Sequence, residues 1–202
     1  MIPEDAAYLA AVIDAGLVRG PCLELGAGIP DHSARSLVTA RGIEYRSTDL
    51  AGDVDYCADF ERPGIAERIP ERFAAVICAN VLEHCFDPLR VLDAAVSLLQ
   101  PGGTCVVIAP AVWPVHSYPI DCWRLLPDFY REYAQRRGLE LVPGWFRFVE
   151  TDTPVQNELP TPWRSSLHRH WSRAVHRVLG TSGRGGWSRP HSGIGAVYRV
   201  AR

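Results

Sequence analysis

The chain has 202 residues, which is enough for one hydrophobic core and too few for two ordinary domains. Its 47% of hydrophobic and 22% of charged residues are typical of a globular protein and exclude a disordered one. The formal net charge of −2 excludes a general electrostatic attraction to nucleic acid or to a membrane surface.

Helices and strands alternate along the first half of the chain. Apolar residues at helical spacing predict a helix over residues 4–18, which Gly20-Pro21 ends. Continuous apolar runs then predict strands, and a return to the 3.6-residue spacing predicts helices. In chain order these are a strand at 21–25, a helix from about 33 to 40, strands at 43–48, 54–60 and 73–79, a helix from 88 to about 100, and a strand at 104–109.

The second half is less regular. Residues 111–126 are aromatic and irregular, which predicts a loop, and residues 143–161 are Pro-rich and carry no clear pattern. The remaining predicted elements are helices at 127–137 and 163–179 and strands at 139–142 and 196–201. The alternation as a whole predicts an α/β fold, with a Rossmann-like, doubly wound and mostly parallel sheet covered by helices on both faces.

The charges and cysteines bear on partners and location. Residues 1–100 carry 8 Arg against 16 acids (net −8), and residues 101–202 carry 13 Arg against 7 acids (net +6). The Arg-rich segment 164–177 can grip RNA or an anionic substrate, but a solvated helix face is the commoner outcome and makes a nucleic-acid partner unlikely. Six cysteines without metal-binding spacing, no signal peptide and no long apolar stretch predict a cytoplasmic protein with no metal and no membrane span.

A glycine-containing turn follows the first predicted strand. The run Pro21-Cys22-Leu23-Glu24-Leu25-Gly26-Ala27-Gly28 ends a strand in two glycines, and a helix follows. Such a turn lets backbone N–H groups approach a ligand, and Asp49 ends the second strand about twenty residues later, where a ribose-binding carboxylate is expected. On these residues alone the turn can be a NAD site or an ordinary tight turn.

Further motifs indicate which kind of site the glycine turn belongs to. The first strand carries the acid Glu24, the third ends near Asp59, and the fourth runs into Asn80-Val81-Leu82-Glu83-His84. Asp87-Pro88 and the turn Pro101-Gly102-Gly103 bound the next helix. In this order and spacing the motifs resemble the class I S-adenosylmethionine (SAM)-dependent methyltransferases, in the small-molecule branch grouped as methyltransferase type 11. The resemblance covers roughly residues 20–110 and continues more loosely to 140.

The resemblance implies a cofactor site for SAM. Glu24, Gly26 and Gly28 would surround its methionine part, and Asn80 and Leu82 would line the cofactor beside the sulfonium.

The resemblance also places the nucleoside part of the cofactor. Asp49 would bind the ribose hydroxyls, and Asp59 would face the adenine amino group. The family's sheet carries a seventh, antiparallel strand, which the segment 196–201 fits. Pro30 stands where the family usually has a third glycine, which a helix start tolerates sterically.

The aromatic loop after the fifth strand is expected above the cofactor, at the carboxyl edge of the sheet. His116 is the candidate catalytic base, because its ordinary pKa lies near neutrality. The candidate substrate-binding residues are Trp113, Tyr118, Asp121, Arg124 and His84. Three alternatives stay open: His116 can be a structural loop histidine, Asp121 and Arg124 can form an ion pair that fixes the loop, and His84 can hold the loop in shape rather than contact substrate.

These expectations combine into one functional hypothesis. A single domain over residues 1–202 would comprise an N-terminal helix (1–20), a cofactor-binding core (21–110), and a substrate loop, basic helix and last strands (111–202). It would transfer a methyl group from SAM to a small-molecule metabolite, most readily on oxygen. The alternatives are N- or C-methylation of a small molecule, a noncatalytic SAM-fold scaffold protein, and RNA methylation.

Overall fold

The computed structural model describes residues 1–149, 153–154 and 192–201. The helices are α1 (Pro3–Asp14), α2 (Arg35–Thr39), α3 (Ile65–Arg68), α4 (Pro88–Ser97) and α5 (Pro127–Arg137), with 3₁₀ turns at Pro30–His32 and Leu82–His84. The strands are β1 (Cys22–Leu25), β2 (Tyr45–Asp49), β3 (Tyr56–Cys57), β4 (Phe73–Ala79), β5 (Leu99–Val112), β6 (Glu140–Leu141), β7 (Arg147–Phe148), β8 (Thr153–Pro154) and β9 (Ser192–Arg199).

All the described strands belong to one mixed sheet. Its order is β3-β2-β1-β4-β5-β9-β7-β8, and β6 pairs with β9 beside it. Strands β1 to β5 are mutually parallel, whereas β9 is antiparallel to β5. The chain winds outward from β1 in one direction and from β4 in the other, so a topological switch point lies between these two strands. Ligands bind at the carboxyl ends of the strands at such a point.

Strand β4 shows why the sheet is covered on both faces. Its residues alternate between two hydrophobic cores, and Val76 and Cys78 pack into one while Ala75 and Ile77 pack into the other. Helices α3, α4 and α5 contribute to the first core, and α1 and α2 contribute to the second. A strand buried on both faces needs a continuous apolar sequence, which is the pattern of residues 73–79.

Helix α4 begins at a side-chain cap. Oδ1 of Asp87 accepts a hydrogen bond from the backbone N–H of Arg90 at 3.1 Å, and Pro88 occupies the first helical position. Both residue types are favoured at these positions, because an aspartate satisfies a free N–H group and a proline has none to satisfy. The helix brings its N-terminal end close to the carboxyl edge of the sheet.

The structure confirms the doubly wound α/β fold and the antiparallel last strand. Several element bounds differ from the sequence-based expectation, and helix α3 and strands β7 and β8 were not predicted. Strand β5 runs from Leu99 to Val112, so Pro101-Gly102-Gly103 lies at an irregularity between β4 and β5 and not in a separate turn. Helix α1 ends earlier, at Asp14. The predicted helix 163–179 lies outside the described residues.

Within the part of the chain that is described, no helix combines the length and the apolarity needed to cross a membrane.

Candidate active site

A large cavity opens at the switch point between β1 and β4. Its volume is about 1100 Å³, which matches the upper end of the range for small-molecule and cofactor sites. Its wall extends from the turn after β1, past the ends of β2 and β4, to the loop after β5. It is lined by Gly26, Gly28, Asp49, Asp59, Asn80, Glu83, His84, Trp113, His116 and Tyr118, together with Met1, Ile2 and Asp5 of the N-terminal segment.

The two glycines after β1 are required by close contacts. Gly26 has a φ of +72°, and a Cβ atom there would lie 2.6 Å from Cγ2 of Val81. A Cβ on Gly28 would lie 2.7 Å from Oδ2 of Asp49, which accepts a hydrogen bond from the Gly28 N–H. Any side chain at either position would therefore push the cavity wall apart.

Asp49 and Asp59 lie in the cavity wall, as predicted. The Asp49 carboxylate is oriented by two backbone N–H groups, those of Gly28 at 2.7 Å and Leu50 at 2.6 Å. Asp59 accepts from the N–H of Glu61 at 2.9 Å and forms an ion pair with the exposed Arg62 at 3.3 Å. Both carboxylates keep lone pairs for a ligand, because a carboxylate can accept about four hydrogen bonds.

The structure places Glu24 away from the cavity wall. Its carboxylate accepts hydrogen bonds from the N–H of Ala34 at 2.7 Å, from the hydroxyl of Ser33 at 2.6 Å and from the hydroxyl of Tyr45. Burial raises the pKa of this carboxyl, and the three hydrogen bonds oppose that rise. Glu24 thus connects the start of α2 to strands β1 and β2. It supports the glycine turn that follows β1 without lining the cavity.

Asn80 lines the cavity, whereas Leu82 does not. Asn80 follows β4 with a φ of +55°, and its Nδ2 donates to Oδ2 of Asp5 at 2.7 Å. Asp5 is itself 3% exposed, so helix α1 holds the Asn80 side chain in place. Leu82 is fully buried in the core beneath the sheet edge, because the 3₁₀ turn directs its apolar side chain inward.

Two imidazoles in edge-to-face contact line the cavity between the turn after β4 and the loop after β5. The ring centroids of His84 and His116 are 4.9 Å apart. Nδ1 of His84 lies 2.7 Å from the carbonyl oxygen of Ile120. Nδ1 of His116 lies 3.2 Å from the carbonyl oxygen of Pro114 and 3.3 Å from Oδ2 of Asp121. Because these partners only accept hydrogen bonds, the neutral form of each ring has its proton on Nδ1 and its lone pair on Nε2.

Asp121 and Arg124 form an ion pair that shapes the loop. The guanidinium donates to both carboxylate oxygens, at 2.5 and 2.7 Å, and also to the carbonyl oxygens of Trp113 and Pro114. Arg124 therefore holds the pKa of the Asp121 carboxyl well below its usual range. Neither residue lines the cavity, so of the two interpretations the structure supports the loop-fixing one.

Trp113 and Tyr118 line the cavity mouth. The ring centroid of Trp113 lies 6.4 Å from that of His116, and Tyr118 is 62% exposed. These rings extend the apolar wall outward from the imidazole pair.

Glu83 was missing from the sequence-based site. Its side chain is 1% exposed and lines the cavity, and neither carboxylate oxygen has a hydrogen-bond partner among the described residues. Oε1 lies 3.8 Å from Nε2 of His84. Burial raises the pKa of Glu83 to about 8, so the carboxyl is largely protonated at neutral pH. Its position in the run Asn80–His84, between two predicted site residues, was the available signal.

Asp5 was also missed. It occupies the apolar face of α1, one turn before the buried Tyr8 and Leu9. An acid on the apolar face of a helix is a signal readable from sequence, because burial of a carboxyl requires a partner.

The charges of the wall suit a cationic ligand. The lining side chains that the structure describes include the acids Asp5, Asp49, Asp59, Glu61 and Glu83, and no arginine. SAM carries a sulfonium and an ammonium group and two ribose hydroxyls, all of which are attracted to or donate to carboxylates. The glycine turn provides the close backbone approach. The residues present therefore fit this cofactor.

The sheet order, the glycine turn and the cavity at the switch point together define a doubly wound α/β fold with a ligand-sized cavity at the usual binding position. Residues 23–107 match a family model described as "Methyltransferase domain" of the type 11 group. The matched segment contains the glycine turn, Asp49, Asp59 and the run Asn80–His84, which are the residues that carry the resemblance to the class I SAM-dependent methyltransferases.

A curated relative and two solved structures are also similar to this chain. The chain is 32% identical over 125 residues to the ubiquinone biosynthesis O-methyltransferase of Xanthomonas campestris pv. campestris strain B100, which covers 59% of this chain and 52% of the relative. The chain thus spans about half the length of the curated relatives it matches. A SAM-dependent methyltransferase from Archaeoglobus fulgidus has a TM-score of 0.57 at 13% identity, covering 97% of this chain and 94% of that one.

A second solved structure is a Burkholderia thailandensis N1-methyltransferase of 1,6-didemethyltoxoflavin, bound to that molecule and to S-adenosylhomocysteine. Its TM-score is 0.60 at 12% identity, with 99% of this chain and 80% of that chain covered. At this identity the likeness shows a shared fold.

Proposed function

We propose that the protein transfers a methyl group from SAM to an oxygen atom of a small molecule. One observation carries the proposal: a single cavity joins the glycine turn after β1 to the His84–His116 pair. A cofactor at the turn and an acceptor at the imidazoles would lie in the same enclosure, which is the alignment that a methyl displacement needs.

The cofactor would be held by the turn and by the strand ends. Gly26 and Gly28 allow close approach of the backbone, Asp49 and Asp59 accept hydrogen bonds from the nucleoside, and Asn80 contacts the cofactor near the reacting centre. SAM supplies a methyl group already activated on a sulfonium, so the protein's tasks are to orient the acceptor, to exclude water and to remove a proton.

His116 is the proposed base. Its Nδ1–H faces the carbonyl oxygen of Pro114 and the carboxylate of Asp121, which leaves the Nε2 lone pair for the acceptor proton. The carboxylate stabilises the imidazolium that forms, and Arg124 keeps that carboxylate ionised and in position. Asp121 and Arg124 are thus positioning residues, and Trp113, Tyr118 and His84 enclose the acceptor.

The choice of oxygen and of a small acceptor rests on two supports. The cavity volume accommodates a cofactor together with a metabolite-sized acceptor. The curated relative named above is an O-methyltransferase. We also propose that residues 1–202 act as one domain. All six cysteines are free thiols, which supports a reducing compartment such as the cytoplasm.

Binding and turnover test the proposal separately. Isothermal titration with SAM and with S-adenosylhomocysteine should show one site, and incubation with SAM and catechol as a simple hydroxyl acceptor should release S-adenosylhomocysteine. His116→Ala should lower kcat by about 100-fold or more with unchanged SAM affinity. Absence of SAM binding would refute the proposed function. Full turnover by His116→Ala would refute the assignment of the base alone.

A further inference from the structure

We infer that Glu83, His84 and His116 form a binding site for one divalent transition-metal ion at the acceptor end of the cavity. Each residue offers one ligand atom, and these three atoms all lie within 4.8 Å of one another. Glu83 and His84 come from the 3₁₀ turn after β4, and His116 comes from the loop after β5. The site therefore joins two elements at the sheet edge.

The Glu83 carboxylate supplies the first argument. It is buried to 1% exposure and lines the cavity, and no group among the described residues donates a hydrogen bond to it. Burying a carboxyl without a partner is costly, and a bound cation would remove that cost by displacing the carboxyl proton to solvent and occupying the oxygen lone pairs.

The hydrogen bonds of the two imidazoles supply an independent argument. A metal-binding histidine almost always donates its other ring N–H to a carbonyl or a carboxylate. Both rings do this here through Nδ1, His84 to the carbonyl of Ile120 and His116 to Pro114 and Asp121. The tautomer that results leaves each Nε2 unprotonated, as a ligand must be.

The set of donors indicates the class of metal. Two imidazoles and one carboxylate suit Zn²⁺, Co²⁺ or Mn²⁺, and leave at least one coordination position open to the cavity. Ligand atoms on one such ion lie about 3–3.5 Å apart, so small rotations of the Glu83 and His84 side chains would close the site.

The inference does not depend on the proposed methyl transfer. With an ion bound, Nε2 of His116 is a ligand and accepts no proton. The ion would then acidify a hydroxyl group in the open position directly, in place of the imidazole.

Co²⁺ titration of the metal-free protein without SAM tests the site. After treatment with EDTA and buffer exchange, we expect one equivalent of Co²⁺ to produce visible absorption bands typical of nitrogen and oxygen ligands. Glu83→Gln keeps the shape of the side chain and should weaken Co²⁺ binding at least about tenfold. The matched control is His32→Gln, a cavity histidine outside the cluster, which should bind as tightly as the wild type.

Equal affinity of the wild-type protein and Glu83→Gln would overturn the inference. A near-ultraviolet thiolate charge-transfer band would also overturn it, because the ion would then be on a cysteine such as the neighbouring Cys85. Thermal unfolding of each variant without metal shows that it is folded. Because SAM is absent throughout, loss of Co²⁺ binding and failure of methyl transfer are separate results.

Discussion

The Nδ1 atom of His116 lies 3.3 Å from Oδ2 of Asp121, whose side chain is only 2% exposed. The same carboxylate accepts a hydrogen bond from the His116 backbone N–H at 2.7 Å. Asp121 thus fixes both the main chain and the ring of one residue. The orientation of the proposed base is set by contacts outside the cavity, which can be altered without removing any group that lines it.

Asp121→Asn should therefore impair catalysis more than binding. The amide is neutral and offers one acceptor oxygen where Arg124 and His116 use two, so the imidazolium loses the carboxylate charge that stabilises it, while the Pro114 carbonyl still faces Nδ1. We expect kcat to fall about tenfold to 100-fold, with KM for the acceptor changed by less than about threefold. Steady-state kinetics measure both. Asp128→Asn, which removes an exposed ion pair with Arg131, is the control and should leave kcat unchanged.

Gly28→Ala should weaken SAM binding. The new Cβ would lie 2.7 Å from Oδ2 of Asp49 and would displace that carboxylate from the cavity wall. We expect Kd for SAM to rise about tenfold, which corresponds to about 1.4 kcal/mol. The control is Gly103→Ala, whose Cβ would meet the carbonyl oxygen of Gln100 at 2.8 Å, away from the cavity. It should lower Tm and leave Kd for SAM unchanged. Equal Kd in both variants would contradict the role of Gly28.

Asp5→Ala should also weaken SAM binding, although Asp5 lies on α1. The change removes the 2.7 Å hydrogen bond that holds Asn80. A lost hydrogen bond of about 1 kcal/mol predicts a rise in Kd of about fivefold by isothermal titration. Asp14→Ala on the same helix is the matched control. Its exposed carboxylate pairs with Arg41, so its removal should not change Kd.

Glu83 should make stability depend on pH. Its pKa is raised from 4.5 to about 8 in the folded protein, so the folded state holds a proton that the unfolded state releases. The contribution to stability is fully present below pH 4.5 and is lost as the pH rises toward 8. Glu83→Gln cannot titrate.

The measurement is denaturant unfolding of the wild type and of Glu83→Gln in EDTA at pH 5 and pH 8. Between these two values the wild type should lose roughly 3 kcal/mol of unfolding free energy relative to the variant. Parallel pH curves for the two proteins would show that Glu83 ionises normally.

The regular elements could be predicted from the sequence because their signals are local. Strand β4 and helix α5 have the predicted bounds. A continuous apolar run indicates the strand, and an amphipathic segment between a proline and a glycine indicates the helix. Both patterns lie in neighbouring residues. The end of β5 and the short strand β7 were missed. Their formation depends on pairing with β9, more than forty residues away along the chain.

The site residues also divide into those that the sequence predicts and those that depend on the three-dimensional structure. The positions of Gly28, Asp49 and Asn80 at strand ends follow from topology, and the cavity contains all three. The topology does not predict which of several adjacent side chains faces the cavity. The 3₁₀ turn at Leu82–His84 directs neighbouring side chains to different sides. Leu82 is in the core and Glu83 is at the cavity, although the sequence favoured Leu82. Glu24 was misplaced because its partners, Ala34 and Tyr45, are recognisable only in three dimensions.

The backbone carbonyl of Glu83 accepts hydrogen bonds from the N–H groups of Cys122 at 2.7 Å and Trp123 at 3.3 Å. Besides the ion pair of Asp121 and Arg124, the loop after β5 is thus attached through main-chain N–H groups, which every residue type except proline can provide. Side chains between 113 and 120 can consequently be exchanged while these main-chain hydrogen bonds hold the loop in place. In the proposed methyltransferase, acceptor preference and attachment of the loop are therefore separable properties, and residues 113–120 other than His116 are the place to redesign it for other acceptors.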